Sequence, residues 1–158
     1  MGDPGDIAPP TLSLLAHVVV EVGPPIAVGD TAEGLRRVVP ILGGSLRGPR
    51  LSGVILAAGA DYQLIRPDGF TRLDAHYVAR LDDGGMVYIV NQGVRHGPAE
   101  AMAQIERGEP VDPEQVYFRT APRFETTSPA QRWLTSALFV ATGVRHLDRV
   151  ELAIFEVG

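Results

Sequence analysis

Gly53-Val-Ile-Leu-Ala-Ala-Gly-Ala-Asp-Tyr-Gln-Leu-Ile-Arg-Pro-Asp-Gly69 is a β-rich run that carries Asp61, Gln63 and Arg66 inside it and ends in a turn at Pro67-Asp68-Gly69. Two further β-like runs follow closely: residues 71–81, a tight Asp82-Asp83-Gly84-Gly85 turn, then residues 86–93. Strands joined by such short polar turns must be antiparallel neighbours, because a parallel connection needs a crossover of roughly a dozen residues or more. Polar side chains spread through three consecutive strands imply a sheet with a face or cavity that is not plain core.

Outward from this stretch, apolar alternation and β-branched enrichment mark strands near 12–22, 36–46, 50–57, 61–66, 71–80, 86–93, 115–121, 134–141 and 149–157. Glycine and proline supply the punctuation at Gly23-Pro24-Pro25, Gly43-Gly44 and Gly48-Pro49. One helix is expected over 98–107, with Pro98 in its first turn, Glu100 at its N-terminal dipole and Gly108 as the stop. A shorter one starts at Ser128-Pro129, with Ser128 as cap. The class is mainly β, with eight to ten strands and one or two short helices. A closed barrel or a sandwich would manage the sheet edges, and the hairpin order over 53–93 favours a single antiparallel, largely up-and-down barrel.

The 158 residues suit one domain, 11–158, behind an acidic Gly- and Pro-containing tail over 1–10. A net charge of -5 argues against a nucleic-acid surface. No apolar run approaches the ~20 residues of a membrane span, and no signal pattern opens the chain, so the cytoplasm is the default compartment. The chain has no cysteine, which removes disulfides, thiolate ligands and thiol nucleophiles. All 14 basic residues are arginine, so Schiff-base chemistry, pyridoxal phosphate anchoring and the Walker lysine go too. A genome rich in G and C accounts for that substitution; the chemical exclusion holds regardless.

No metal or other cofactor is expected. His17, His76, His96 and His146 are far apart and form no ligand motif. Gly43-Gly44-Ser45-Leu46-Arg47 starts like a nucleophile elbow but has arginine in place of the last glycine, and no helix follows. The same glycines miss the dinucleotide spacing; they are read instead as bends at bulges.

Strand parity sorts the polar residues. Asp61 and Gln63 share one face, with Tyr62, Leu64 and Arg66 on the other. On the next strand Leu73, Ala75, Tyr77 and Ala79 form the core face, leaving Asp74 and His76 to solvent. Val87, Ile89 and Asn91 share a face, as do Tyr117 and Arg119. Arg119 could bind an anion or carbonyl oxygen through its planar fork, or pair with Glu125 or Asp61 to close a barrel end. Trp133, the single tryptophan, is a core plug or a ligand wall.

Gly43-Gly44, Gly48-Pro49-Arg50-Leu51, Gly59 to Gln63, Arg66 to Gly69, Tyr117 to Arg119, Pro122 to Thr126 and Trp133-Leu134 together resemble the bacterial and fungal family known as domain of unknown function 3237. The resemblance runs from about Leu12 to the C-terminus and implies a single-domain antiparallel β-barrel with no generic activity or cofactor. The family's Ala-Asp-Trp-Gln falls on Ala60 to Gln63, with Tyr62 replacing Trp, and its Trp-Leu-Asn falls on Trp133 to Thr135, with Thr replacing Asn. Its Pro-Gly-Gly becomes Ala57-Ala58-Gly59.

Three functions fit these residues. The first is a small cofactor-independent enzyme acting by general acid–base chemistry (isomerisation, cyclisation, dehydration or lactone opening) on a small, largely apolar carbonyl compound inside the barrel. Asp61 or Glu125 would be the base, Arg119 and Gln63 would steady a carbonyl or enolate oxygen, and Asn91, Tyr77, Tyr117 and Trp133 would bind or orient the substrate. The others are a small-molecule carrier, for which the polar residues only fix orientation, and a structural protein with a filled barrel. Exposed edge strands are compatible with a homodimer.

Overall fold

The structure, a computed structural model, describes residues 2–158. Among them the alternating segments form nine strands: β1 (Leu12–Val22), β2 (Ile26–Thr31), β3 (Gly34–Arg47), β4 (Ser52–Ile65), β5 (Thr71–Leu81), β6 (Met86–His96), β7 (Tyr117–Thr126), β8 (Leu138–Arg145) and β9 (Arg149–Val157). One α-helix, α1 (Ala99–Glu106), links β6 to β7. Every pairing is antiparallel. From β3 to β9 each strand pairs with the next in sequence, and β1 joins β9 to β3, so eight strands close an up-and-down barrel. β2 is the extra strand; it pairs with the first part of β3, where β1 no longer runs. Open edge is left along the outer side of β2 and between β7 and β8, where only Arg119–Thr142 and Thr120–Ala141 pair.

Glycine makes the curvature possible. The β3–β4 register shifts between Pro40 and Gly44, and the β4–β5 register between Ile55 and Gly59. At Gly44 and Gly59 the backbone has φ of +147° and +92°, in the region that favours glycine. A bulge of this kind bends a strand without ending it. Hence the two strands expected over 50–57 and 61–66 are one strand, β4.

Four other readings need revising. β2 was not anticipated, because Gly29 and Asp30 interrupt its apolar pattern. Gly93 is no break: a Cβ there would lie 2.2 Å from the Arg119 carbonyl oxygen, so glycine marks a close strand approach and β6 continues to His96. The strand expected over 134–141 starts at Leu138, because Pro129–Thr135 forms a 3-10 turn. Ser128 precedes that turn, but its side chain caps no backbone N–H. The helix expected over 98–107 is α1, following Pro98.

The inward side chains divide the interior into two halves. One end is apolar: Leu15, Val18, Leu46, Ile55, Leu81, Val87, Phe124, Leu134, Phe139 and Ile154 pack into a continuous core. Phe124 and Phe139 meet edge to face at 5.0 Å. Each large apolar side chain buried here contributes about 1.5–3 kcal/mol, which fixes this end as the plug of the barrel. The other end, reached along the same strands, is the polar one.

Candidate functional site

The polar end is built by parity continued past the core. Inward positions on β4 supply Asp61 and Gln63, those on β5 supply Ala75 and Tyr77, and those on β6 supply Asn91 and Arg95. Thr120 on β7 and Arg145 at the end of β8 complete the polar lining, with Val20, Ile41, Phe118 and Leu152 as apolar wall. The cavity they enclose has a volume of about 40 Å³, room for a few waters or the head of a small molecule. α1 lies at this end: Ala101 and Met102 are buried, Met102 approaches Gly69, and Glu106 is near enough to act electrostatically on Arg95.

Asp61 accepts two hydrogen bonds, from Gln63 Nε2 at 2.9 Å and from the backbone N–H of Asp74 at 2.9 Å. Gln63 is held from its other side, since Arg37 Nη2 donates to its Oε1 at 3.1 Å. Burial pushes the Asp61 carboxyl above its usual value of 3.8, against the opposing pull of those two hydrogen bonds and of Arg95 and Arg145. Arg95 is 2% exposed, and burial lowers its guanidinium to about 10, with Arg145 and Arg37 pushing the same way and Asp61 opposing. Arg145 is lowered too, by burial and by Arg37. Burial raises the Tyr77 phenol, and the Asp61 charge adds to it.

Six buried side-chain atoms have no protein partner among the described residues: Arg37 Nε, Tyr77 OH, Asn91 Oδ1, Arg95 Nε, Thr120 Oγ1 and Arg145 Nη1. All belong to residues that line this cavity or, for Arg37, bond to its wall. A buried polar atom left unpaired costs about 1–3 kcal/mol, so their gathering in one place marks a site arranged for polar groups from elsewhere. A larger groove of about 520 Å³ lies outside the barrel beside α1, between Asp30, Gly34, Arg66, Gly69 and Glu106. It contains none of these unpaired atoms.

The structure brings Asp61, Gln63, Tyr77 and Asn91 together. It does not bring Arg119, Glu125, Tyr117 or Trp133 to them. Tyr117, Arg119 and Glu125 occupy the outward positions of β7. Arg119 donates to the carbonyl of Phe118 at 3.0 Å and lies over the Tyr117 ring, which stacks on His96. It pairs with neither Glu125 nor Asp61 among the described residues. The parity that groups Tyr117 with Arg119 holds, but the inward face of β7 is Phe118, Thr120, Pro122 and Phe124. Trp133 packs against Phe139 at the apolar end, beneath Arg50.

Sequence reasoning missed Arg37, Arg95, Thr120 and Arg145. Arg95 is four residues beyond Asn91 and so on the same face, a signal lost by ending the strand at Gly93. Asp74 and His76 face outward, and His76 hydrogen-bonds Asp74 at 2.8 Å and Tyr88 at 2.9 Å on the barrel surface. Among the described residues no three His, Asp or Glu side chains converge as a metal would require, and no helix is long and apolar enough to cross a membrane.

A family described as "Protein of unknown function (DUF3237)" matches residues 10–157. The chain belongs to that family. UPF0311 protein RPA1785 of Rhodopseudomonas palustris is 45% identical over 140 residues, spanning 89% of this chain and 92% of the relative. The crystal structure of the conserved protein of unknown function RPA1785 superposes with a TM-score of 0.91 at 41% identity, covering 96% of this chain and 99% of the other. A beta-barrel like protein from Acinetobacter baumannii gives 0.85 at 35% identity, with 97% and 99% covered. More distantly, an enzyme from Penicillium herquei shares the fold, with a TM-score of 0.72 at 20% identity and full coverage of both chains.

Proposed function

We propose that this member of the DUF3237 family is a small enzyme that uses general acid–base chemistry on a small carbonyl-containing molecule held in the polar end of the barrel. The observation that carries this reading is the Asp61 carboxyl, raised by burial and set in a cavity where Tyr77 OH, Asn91 Oδ1, Arg95 Nε, Thr120 Oγ1 and Arg145 Nη1 lack protein partners among the described residues. A carboxyl moved up from its usual range exchanges a proton nearer neutral pH, as a general acid or base must. Gln63 fixes its orientation. Tyr77 OH is a donor and Asn91 can present either its amide oxygen or its NH2, so the two can hold a carbonyl oxygen and the atoms beside it. The chain has no thiol and no lysine, and the polar groups lining the cavity are carboxyl, phenol, hydroxyl, amide and guanidinium. The Penicillium herquei protein that shares the fold is called an enzyme, which agrees with this reading without assigning a reaction.

The test is mass spectrometry of the protein incubated with an extract of small metabolites, comparing wild type with Asp61→Asn. The expected result is one compound consumed by wild type at a rate at least about a hundredfold above the variant. A compound bound by both proteins and returned unchanged would replace the enzyme with a carrier. No compound bound by either would leave the cavity a structural feature.

A further inference from the structure

We propose that the molecule held in the barrel carries a carboxylate, and that Arg95 and Arg145 grip it at the polar end. This deepens the reading of the cavity as a substrate site and rests on it. The charge balance is the first argument. Arg37, Arg95 and Arg145 converge closely enough that Arg37 and Arg145 act on Arg95, and Arg37 acts on Arg145. The cavity wall contains a single carboxyl, Asp61. Glu106 and Asp148 act on individual arginines from outside that wall. Gathering guanidinium groups in low dielectric is costly unless anions compensate them.

The hydrogen bonds give the second argument. Arg37 Nε, Arg95 Nε and Arg145 Nη1 are buried donors with no protein acceptor among the described residues. The obvious acceptor, Asp61, receives Gln63 and Asp74 instead. Arginine has donors only, so these atoms can be satisfied only by oxygen lone pairs or another acceptor brought in. A carboxylate offers two oxygens in a plane, matching the guanidinium fork, together with one negative charge.

Size and local charge select within the anions. The volume of about 40 Å³ admits a compact head such as acetate. A phosphate dianion is bulkier and would place two charges near the Asp61 carboxyl, where like charges oppose one another. With the carboxylate anchored on Arg95 and Arg145, the ligand's next carbons lie among Tyr77, Asn91 and Asp61, the groups that line the same cavity. The substrate class is therefore a short carboxylic acid with its carbonyl close to the carboxylate.

The experiment compares binding of acetate, propionate and pyruvate with that of acetamide, propionamide and inorganic phosphate, at constant ionic strength, by NMR titration and thermal shift. The proteins are wild type, Arg95→Met, Arg145→Gln and, as a surface-charge control, Arg80→Gln. Arg145 lies at a strand end, so its variant keeps the test open if Arg95→Met fails to fold. The expected result is saturable binding of at least one carboxylate to wild type and to Arg80→Gln, weakened tenfold or more in Arg145→Gln and Arg95→Met, with the amides at least tenfold weaker throughout. Amides that bind as well as carboxylates, phosphate that binds in their place, or carboxylate binding indifferent to Arg145 and Arg95 would each overturn the anchor while leaving the cavity a ligand site. No binding of any probe, with no compound captured from the metabolite extract, would remove both.

Discussion

The carboxylate of Asp61 accepts the backbone N–H of Asp74 across the β4–β5 ladder at 2.9 Å. The paired register there passes from Asp61 opposite Ala75 to Leu64 opposite Arg72, with no pair between, so the side chain does the work of a missing backbone acceptor. Asp61 thus serves the sheet and the cavity together, and its two roles separate by pH. Its carboxyl is raised above 3.8, chiefly by burial, against Gln63, the Asp74 amide, Arg95 and Arg145. A raised carboxyl holds its proton more tightly in the folded chain than in the unfolded one. Its contribution to stability is therefore greatest below the unfolded value, declines as pH rises through the folded value, and is constant above it. Asp61→Asn retains an acceptor for Asp74 and removes this decline. Urea unfolding between about pH 4 and pH 8 should show the wild type losing stability relative to Asp61→Asn as pH rises. Parallel curves would show that Asp61 titrates alike in both states.

Tyr77 is 2% exposed, and its hydroxyl has no protein partner among the described residues. Removing an unsatisfied polar atom relieves its desolvation, so Tyr77→Phe should leave the ligand-free protein as stable as wild type or up to about 1 kcal/mol more so. The same change should weaken binding of any compound captured by the cavity. A variant destabilised by more than that amount would mean that the hydroxyl is structurally engaged.

Gly59 combines φ of +92° with a position where a Cβ would lie 1.9 Å from the carbonyl oxygen of His76. Gly59→Ala must move a backbone, and about 3 kcal/mol or more of destabilisation is expected in a denaturant melt. The bulge it occupies sets the turn of β4 into Asp61, so the carboxyl should be displaced as well, visible as a changed pH dependence of whichever variant still folds.

Phe139→Ala addresses the plug. The ring is 3% exposed and packs edge to face on Phe124 and against Trp133. A loss of about 3–5 kcal/mol is expected, read as a lower denaturation midpoint.

Much of this molecule was legible from alternation alone. The division of β4 and β5 into faces, with Asp61 and Gln63 on one side of β4 and Tyr77 on the core side of β5, follows from a period of two and survives in the barrel. So does the antiparallel order, because short turns leave no other topology. What alternation cannot supply is which face of an isolated strand is inside. Tyr117 and Arg119 point the same way as expected, but the neighbouring set, Phe118, Thr120 and Phe124, has the larger apolar surface and takes the interior. Nor does it say where a strand stops when glycine is present for contact rather than for a turn. Gly93 concealed Arg95, and the 3-10 turn through Thr135 shifted β8 so that Arg145 fell outside the expected strand. The arginines of the cavity come together only through three-dimensional closure, which brings β3, β6 and β8 to one end of the barrel.

β1 hydrogen-bonds on one side to β3 and on the other to β9, and Thr11 and Gly158 exchange backbone hydrogen bonds of 2.9 and 2.8 Å. During translation the 12–22 segment emerges well over a hundred residues ahead of the partner that covers its second side. Until then it waits with an open edge, as β-rich chains of high contact order do, in the interval when a neighbouring nascent chain could pair with it instead. The last seam to close decides how fast this barrel matures, and the β1–β9 seam is where slow folding or mispairing should first be seen.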